Sequence, residues 1–349
     1  MLDFVLCLFH EKKKQLDFLK NINNTSFMSE ELKDHIKKVS KIELHFHFEG
    51  AFSKDALWYL SQKYNPSLSY HDFQHIFDIF DFSSFIRAWE YKNSLIRSLE
   101  DLSFLCDDVI KYLKNENIVY VEITISPFGL KNLKAENIIE LLFNKFSASG
   151  ILFVFIADIV RSTPLTDAYN KYYLYREMRN YGIAAIALGG DEKRYSPIIF
   201  KDLFENVKKD NFKITIHAGE YGNEDNINNS ILHCYADRIG HGNNIKNKKL
   251  IEFIKYKKIH IELCPISNKM LNKNFSLEKY CFYDYWINNL NISINSDDPG
   301  IFSKTLSDNY MFILENYDLR INDLKKIQKK SLECCFCSND LKSSIIKII

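Results

Sequence analysis

The sequence of 349 residues is 46% hydrophobic and 14% aromatic, which is enough apolar material for a large core. Its 46 Lys and Arg residues are balanced by 45 Asp and Glu residues, and a formal charge of +1 predicts no nucleic-acid partner and no membrane-surface partner. The eight cysteines are scattered and no apolar run reaches about 18 residues, which predicts reduced thiols, a cytoplasmic location and no membrane span.

Residues 1–38 are predicted to be an N-terminal extension, helical or loosely attached, to which we assign no function. The apolar stretch in MLDFVLCLFHEKKK is short, an acidic residue precedes it and three lysines follow it. A secretory signal has the reverse order of charge, so we do not interpret this segment as one.

The stretch KIELHFHFEG at residues 41–50 is predicted to be the first strand of the domain. Because side chains on a strand alternate between its faces, apolar residues lie on one side and ionisable residues on the other. The two sets are Ile42, Leu44, Phe46 and Phe48 against Glu43, His45, His47 and Glu49. Buried imidazoles need partners, and two histidines on one strand face are suited to Zn²⁺.

A helical insertion is predicted at residues 51–118, with helical patterns at 54–64, 82–98 and 100–115. It is longer than a strand-to-strand crossover requires, and we expect it to form a lid. Its aromatic residues are compatible with a packed core or with the lining of a pocket. These are Phe77, Phe80, Phe82, Phe85 and Trp89.

Seven more apolar, β-branched runs follow the insertion, separated by amphipathic stretches such as 135–146 and 198–210. The runs lie at 119–127, 152–160, 184–192, 213–220, 236–242, 259–267 and 292–299. Eight strands that alternate with helices predict a single (β/α)₈ TIM barrel over residues 39–349.

Ionisable side chains stand at the ends of three later strands as well. KITIHAGE ends in His217 and Glu220, RIGHG contains His241, and INSDDPGIF contains Asp297 and Asp298. The carboxyl ends of barrel strands share one rim, so these residues are predicted to meet His45 and His47 there. A metal with acid–base groups beside it predicts a hydrolytic site.

Six motifs resemble, in order and position, those of the adenosine deaminase family between about residues 40 and 315: ELHFHFEG, LGGDE, HAGE, RIGHG, CPISN and NSDDPGIF. The resemblance implies a zinc-dependent hydrolytic deamination of a 6-aminopurine, with one Zn²⁺ per chain. It implies as zinc ligands His45, His47, His217 and Asp297.

The same resemblance implies roles around the substrate. Glu220 would give a proton to purine N1, and His241 would orient the attacking water. Asp298 would contact N7 and the backbone of Gly190 would face N3. His47 and Glu49 are also predicted to contact the substrate. Glu49 follows His47 by two residues on the same strand face, so we expect it to reach the part of the ligand furthest from the amine. Addition of water to the carbon that bears the amine puts charge on the adjacent ring nitrogen, and acid assistance there is worth about 10²–10⁴-fold in rate.

The substrate is expected to be a small-molecule nucleoside, adenosine or a 5′-modified relative such as aminodeoxyfutalosine, ahead of free adenine. Glu49 stands where nucleoside deaminases commonly carry Asp, and a Glu there resembles the adenine and aminofutalosine branches. The absence of a basic cluster among the predicted site residues argues against a phosphorylated substrate.

Other functions remain open, namely an adenine deaminase, a metal-dependent barrel hydrolase of another class, or a barrel that binds purines without turnover. The sequence carries no signal for an oligomeric state. The zinc deaminases that act on cytidine or nucleic-acid bases need H-x-E with P-C-x-x-C. Cys334 and Cys337 have the C-x-x-C spacing but no preceding Pro, so we exclude that class.

Overall fold

The computed structural model describes residues 25–222, 224–243 and 245–348 of the chain. Two units are distinguished, and the first contributes helix α1 (Thr25–Lys38). Residues 1–24, which include the apolar stretch considered as a signal, lie outside the described residues. None of the described helices combines the length and the apolar character needed to cross a membrane.

The second unit, Ser40–Ile349, is built on eight parallel strands that pair in chain order. The strands are β1 (Lys41–His47), β2 (Ile118–Ile125), β3 (Leu152–Val160), β4 (Ile183–Gly189), β5 (Lys213–Ala218), β6 (Arg238–His241), β7 (His260–Leu263) and β8 (Asn291–Ile294). The segment after β8 returns to β1, where the N–H of His47 donates to the carbonyl of Asp297 over 3.0 Å. The predicted (β/α)₈ barrel is confirmed.

All eight predicted strands are present, but most end earlier than the apolar runs suggest. The first strand, for example, ends at His47, and residues 48–50 form a turn. The reason is that the apolar runs continue into the rim loops. The residues of these loops are buried around a cavity but do not pair with a neighbouring strand.

Helices surround the barrel. They are α2 (Lys54–Tyr64), α3 (Tyr70–Ile76), α4 (Phe82–Ser94), α5 (Leu99–Asn115), α6 (Ala135–Ser149), α7 (Leu165–Glu177), α8 (Lys201–Lys209), α9 (Glu224–Leu232), α10 (Lys248–Lys257), α11 (Pro265–Leu271), α12 (Phe282–Ile287), α13 (Pro299–Phe302), α14 (Leu306–Asn316), α15 (Ile321–Cys334) and α16 (Asn339–Ile346).

The insertion after β1 contains α2 to α5, one helix more than its sequence pattern predicts. The extra helix, α3, has seven residues and is capped by the side chain of Ser69. A helix of that length spans barely two turns, too few for a clear 3.6-residue period. Helix α5 begins with a reciprocal capping box between Ser98 and Asp101, which satisfies two otherwise unpaired backbone donors.

The two faces of β1 separate as the alternation predicts. Ile42 and Leu44 pack outward in an apolar cluster with Tyr120, Leu332 and Cys335. On the inner face, the buried Glu43 accepts hydrogen bonds from the N–H and the hydroxyl of Ser296. Cys335 therefore belongs to the packing between the barrel and its C-terminal helices.

Candidate active site

Four imidazoles and a carboxylate converge at the rim formed by the carboxyl ends of the strands. The ring centroid of His45 lies 5.2 Å from that of His47, 4.6 Å from that of His217 and 5.0 Å from that of His241. Asp297, which follows β8, places Oδ1 3.3 Å from Nε2 of both His45 and His47. The structure thus brings together residues from four strand ends.

The donor set fits a metal ion. Ligand atoms of His45, His47 and His217 lie within 4.8 Å of one another. Among the residues that the structure describes, none forms a hydrogen bond with the buried Nε2 of His45, although Asp297 lies beside it. Burial opposes ionisation of Asp297, but the adjacent imidazoles hold the pKa of this carboxyl well below its usual range. Three nitrogens and a carboxylate around one point match the ligands of Zn²⁺.

A buried carboxylate orients the first of these ligands. Oε2 of Glu262, on β7, lies 2.6 Å from Nδ1 of His45, and the hydroxyl of Thr215 donates to Oε1 of Glu262 over 3.0 Å. The Arg238 guanidinium lies 2.6 Å from the same oxygen. This arrangement fixes Nδ1 of His45 as the donor and leaves Nε2 for a metal.

His241 and Asp297 both adopt left-handed backbone conformations, with φ of 64° and 65°. Such φ values are strained for residues other than glycine and concentrate at functional sites. The amide of Asn268, from CPISN, is placed to donate to Nδ1 of His241 over 3.0 Å, which leaves the proton on Nε2. Nε2 lies 3.6 Å from Oε2 of Glu220.

The electrostatics of the site favour a neutral His241 and a protonated Glu220. Burial lowers the pKa of His241 to about 3, against the attraction of Asp297. Burial raises the pKa of Glu220 well above its ordinary value, and the negative charges of Asp297 and Glu192 raise it further. A carboxyl that keeps its proton at neutral pH can act as a general acid.

The loop that carries Glu220 is held by Glu192, from the LGGDE motif. Its carboxylate accepts hydrogen bonds from the backbone N–H groups of Gly219 over 2.9 Å and Gly222 over 2.6 Å. Glu192 is not among the residues predicted from the sequence to be functional, although its position after β4 at the same rim is a signal for such a role.

A cavity of about 340 Å³ opens beside the imidazoles, a size that suits a small ligand. Phe82, Phe85 and Trp89 of α4 form an apolar wall, so three of the five aromatic residues singled out in the insertion line the cavity. Asp298 also lines it, and burial, together with the charge of Asp297, raises the pKa of Asp298 to about 7.

The predicted backbone contact at Gly190 lies in the cavity wall. Gly190 has a φ of +95°, and a Cβ there would come within 3.1 Å of Val160. Only glycine adopts this conformation without strain, and it leaves the backbone open to the cavity.

Glu49 is not among the residues that line the cavity. Its side chain is buried, and Oε1 accepts a hydrogen bond from the N–H of Ser126 over 2.8 Å. It lies in the turn after β1 rather than on the strand, so the face shared with His47 in the sequence pattern does not extend to it. Ser126 stands in the wall in its place.

The end of the cavity formed by the loops after β2 and β3 contains polar residues that are not among the site residues predicted from the sequence. Ser126, Asp158 and Lys171 line it, together with the aromatic rings of Phe128 and Tyr175. Lys171 lies on α7, where a lone lysine in an amphipathic pattern resembles a solvated surface residue. Asp158 sits within a strongly apolar strand, which was the one signal in the sequence.

Comparison with known proteins identifies relatives along nearly the whole chain. A sequence profile of the adenosine deaminase family matches residues 40–349. An adenosine deaminase of Clostridium botulinum is 26% identical over 329 residues, which cover 90% of this chain and 99% of that protein.

Two solved structures share the fold. An adenine deaminase from Arthrobacter aurescens has a TM-score of 0.81 at 20% identity, covering 88% of this chain and 97% of its own. An N6-methyl-AMP deaminase from Arabidopsis thaliana has a TM-score of 0.81 at 21% identity, covering 90% of this chain and 97% of its own.

Proposed function

The chain belongs to the adenosine deaminase family, and from that premise we propose that it hydrolyses the 6-amino group of a purine nucleoside and releases ammonia. The observation that carries the proposal is the arrangement of Glu220, His241 and Asp297 around one cavity beside three imidazoles. The group offers metal ligands, a proton donor and a hydrogen-bonding imidazole at the same place, as hydrolytic deamination requires.

The metal would be held by His45, His47, His217 and Asp297. Zn²⁺ in such a site would act as a Lewis acid and would lower the pKa of a bound water to about 7. Burial lowers the pKa of His217, which favours a neutral nitrogen ligand at that position.

The residues of the chain then divide the reaction between them. Neutral His241 donates from Nε2 toward the attacking water and fixes its approach to C6, while ionised Asp297 accepts a hydrogen bond from the same water. Protonated Glu220 gives its proton to N1 as the oxygen–carbon bond forms. Ionised Asp297 takes one proton from the water and returns it to the amino group. The C6–N bond then breaks to release ammonia, and the hydroxyl on C6 returns a proton to Glu220, which leaves a 6-oxopurine.

Asp298 and Gly190 hold the ring. N7 of a purine accepts hydrogen bonds, so Asp298 must present a proton to it, and a pKa raised by burial to about 7 supports that role. The backbone of Gly190 faces N3 from the wall formed by the loop after β4. The aromatic side chains of α4 close the apolar side of the site.

Deamination of free adenine is the second candidate function. Glu49 is the observation that favours it, because this residue resembles the adenine and aminofutalosine branches of the family. Its burial behind Ser126 places it away from direct contact with a ligand, which weakens that argument.

Incubation of the purified chain with adenosine, aminodeoxyfutalosine and adenine, with ammonia measured, tests the proposal. We expect ammonia release from a nucleoside and about one Zn²⁺ per chain by elemental analysis. Failure to deaminate any 6-aminopurine would refute the activity, whereas turnover by a metal-free chain would refute only the zinc dependence.

A further inference from the structure

The cavity has a charged end that the deamination chemistry does not use. Asp158, at the end of β3, and Lys171, on α7, both line it. Asp158 is 9% exposed, and its Oδ2 accepts a hydrogen bond from the hydroxyl of Ser126 over 2.9 Å. Nζ of Lys171 donates to the hydroxyl of Thr163 over 3.2 Å and lies 5.2 Å from the ring centroid of Phe128.

The carboxylate is held firmly in position. Its oxygen Oδ1 lies against Gly189, where an added Cβ would come within 3.3 Å of it. The hydroxyl of Tyr175 donates to the backbone carbonyl of Asp158 over 3.0 Å, which anchors this end of β3 to α7. The two charges lie close enough for each to influence the pKa of the other. Within the described residues no direct ion pair joins them, and both side chains line the same cavity.

The orientation of the ring in the proposed reaction indicates what reaches this end. With N1 at Glu220, N7 at Asp298 and N3 at Gly190, the N9 edge of the purine points away from the imidazoles. The substituent on N9 therefore extends toward the loops after β2 and β3, where Ser126, Asp158 and Lys171 lie.

We infer that Asp158 and Lys171 form a subsite that binds a hydroxyl group of the sugar on N9, and that this subsite selects nucleosides over free bases and over nucleotides. The inference rests on the proposed deaminase function and deepens it. A hydroxyl donates to a carboxylate and accepts from an ammonium at the same time, so one group satisfies both side chains. Free adenine leaves both without a ligand partner, and a phosphate would meet the negative charge of Asp158 as well as Lys171.

The test compares kcat/KM for adenosine, adenine and AMP in the wild type and in Asp158→Asn, Lys171→Met and Lys171→Arg. We expect Asp158→Asn and Lys171→Met each to lower kcat/KM for adenosine by about tenfold, the loss of one hydrogen bond to a charged group. The kcat/KM for adenine, which does not reach the subsite, should change by less than about twofold. Lys171→Arg should retain most of the wild-type kcat/KM for adenosine. Asp158→Asn should raise the ratio of kcat/KM for AMP to kcat/KM for adenosine.

A matched control is Lys145→Met, which removes an ammonium that pairs with Asp107 on the outer surface; its kinetics should match the wild type. Equal losses for adenosine and adenine in the two subsite variants would show a structural role and overturn the inference. A wild type that prefers AMP would overturn it too, with Lys171 as a phosphate ligand. If all variants still deaminate adenine, either of these two results would overturn the subsite inference but not the deaminase activity. A wild type that deaminates none of the three would overturn both.

Discussion

Nδ1 of His45 lies 2.6 Å from Oε2 of Glu262, and both side chains are buried. Glu262 is also 2.6 Å from the guanidinium of Arg238, which lies 2.6 Å from a second buried carboxylate, Glu122. The strong positive charge of Arg238 helps to hold the pKa of Glu262 at about 2, against the effect of burial. Glu262 therefore stays ionised and keeps His45 in one tautomer, with Nε2 directed into the site.

Glu262→Gln is expected to keep the fold but weaken the metal affinity by about 10–100-fold, because the ring of His45 loses its ionised acceptor. Competition with a chelator would measure the affinity. Glu252→Gln, at an exposed position on α10, is the matched control and should bind metal as the wild type does. Unchanged affinity in Glu262→Gln would show that the contact does not orient His45.

His217→Ala is expected to lose metal and activity together, because it removes one of the three nitrogens that surround the proposed metal position. Elemental analysis and ammonia release would be measured on the same preparation. The exposed His233→Ala serves as control and should retain both. A His217→Ala variant that keeps full activity would remove His217 from the ligand set.

Glu220→Gln is expected to retain metal and fold but to lose nearly all kcat, by about 10²–10⁴-fold, since the proton donor is gone. Burial raises the pKa of Glu220, so the protonated, active form is present below that pKa and is lost as the pH rises through it. The wild-type rate should fall on the alkaline side with that group. The residual rate of Glu220→Gln should not show this fall at alkaline pH. If the variant is nearly as active as the wild type, Glu220 is not the proton donor and has a structural role.

Asp298→Ala is expected to raise KM and lower kcat, with a loss of about tenfold or more in kcat/KM, because its carboxyl is proposed to contact N7 in both the ground state and the transition state. Its Oδ1 is buried and has no hydrogen-bond partner in the described structure, as expected for an atom that binds a ligand. Steady-state kinetics with the preferred nucleoside provide the measurement. An unchanged KM would place the contact elsewhere.

The barrel and the cluster of proposed metal ligands could be predicted because each depends on local sequence. Strand and helix periods are properties of short windows, and the common rim of a barrel converts eight separate strand ends into one site. His45, His217 and Asp297 can be predicted from their positions at strand ends, without knowing the distances between them.

Partners that act across the fold could not be predicted in the same way. Glu262 meets His45 across 217 positions of sequence, and Glu192 holds the Gly219 loop across 27 positions. Lys171 reaches the cavity only because α7 lies beside the β3 rim. The two members of each of these pairs are too far apart in the sequence for a local pattern to include both, so only the folded structure shows that they are in contact.

Glu49 and Lys92 are buried ionisable side chains beside the cavity wall, and each influences the pKa of the other. Lys92 is fully buried and its Nζ lies 3.4 Å from the ring centroid of Trp89. Burial lowers the pKa of Lys92 to about 7, and the charges of Glu49 and Asp298 oppose that shift. Burial raises the pKa of Glu49, and Lys92 opposes it.

Since each charge partly offsets the desolvation of the other, Glu49→Gln or Lys92→Met alone should lower the free energy of unfolding by about 1–3 kcal/mol. The double variant should lose less than the sum of the two single losses, because no uncompensated charge remains. Urea denaturation at neutral pH of all four proteins would give the coupling free energy. Additivity within about 0.5 kcal/mol would show that the two residues are independent, and Glu49 would then be held by its hydrogen bond from Ser126 alone.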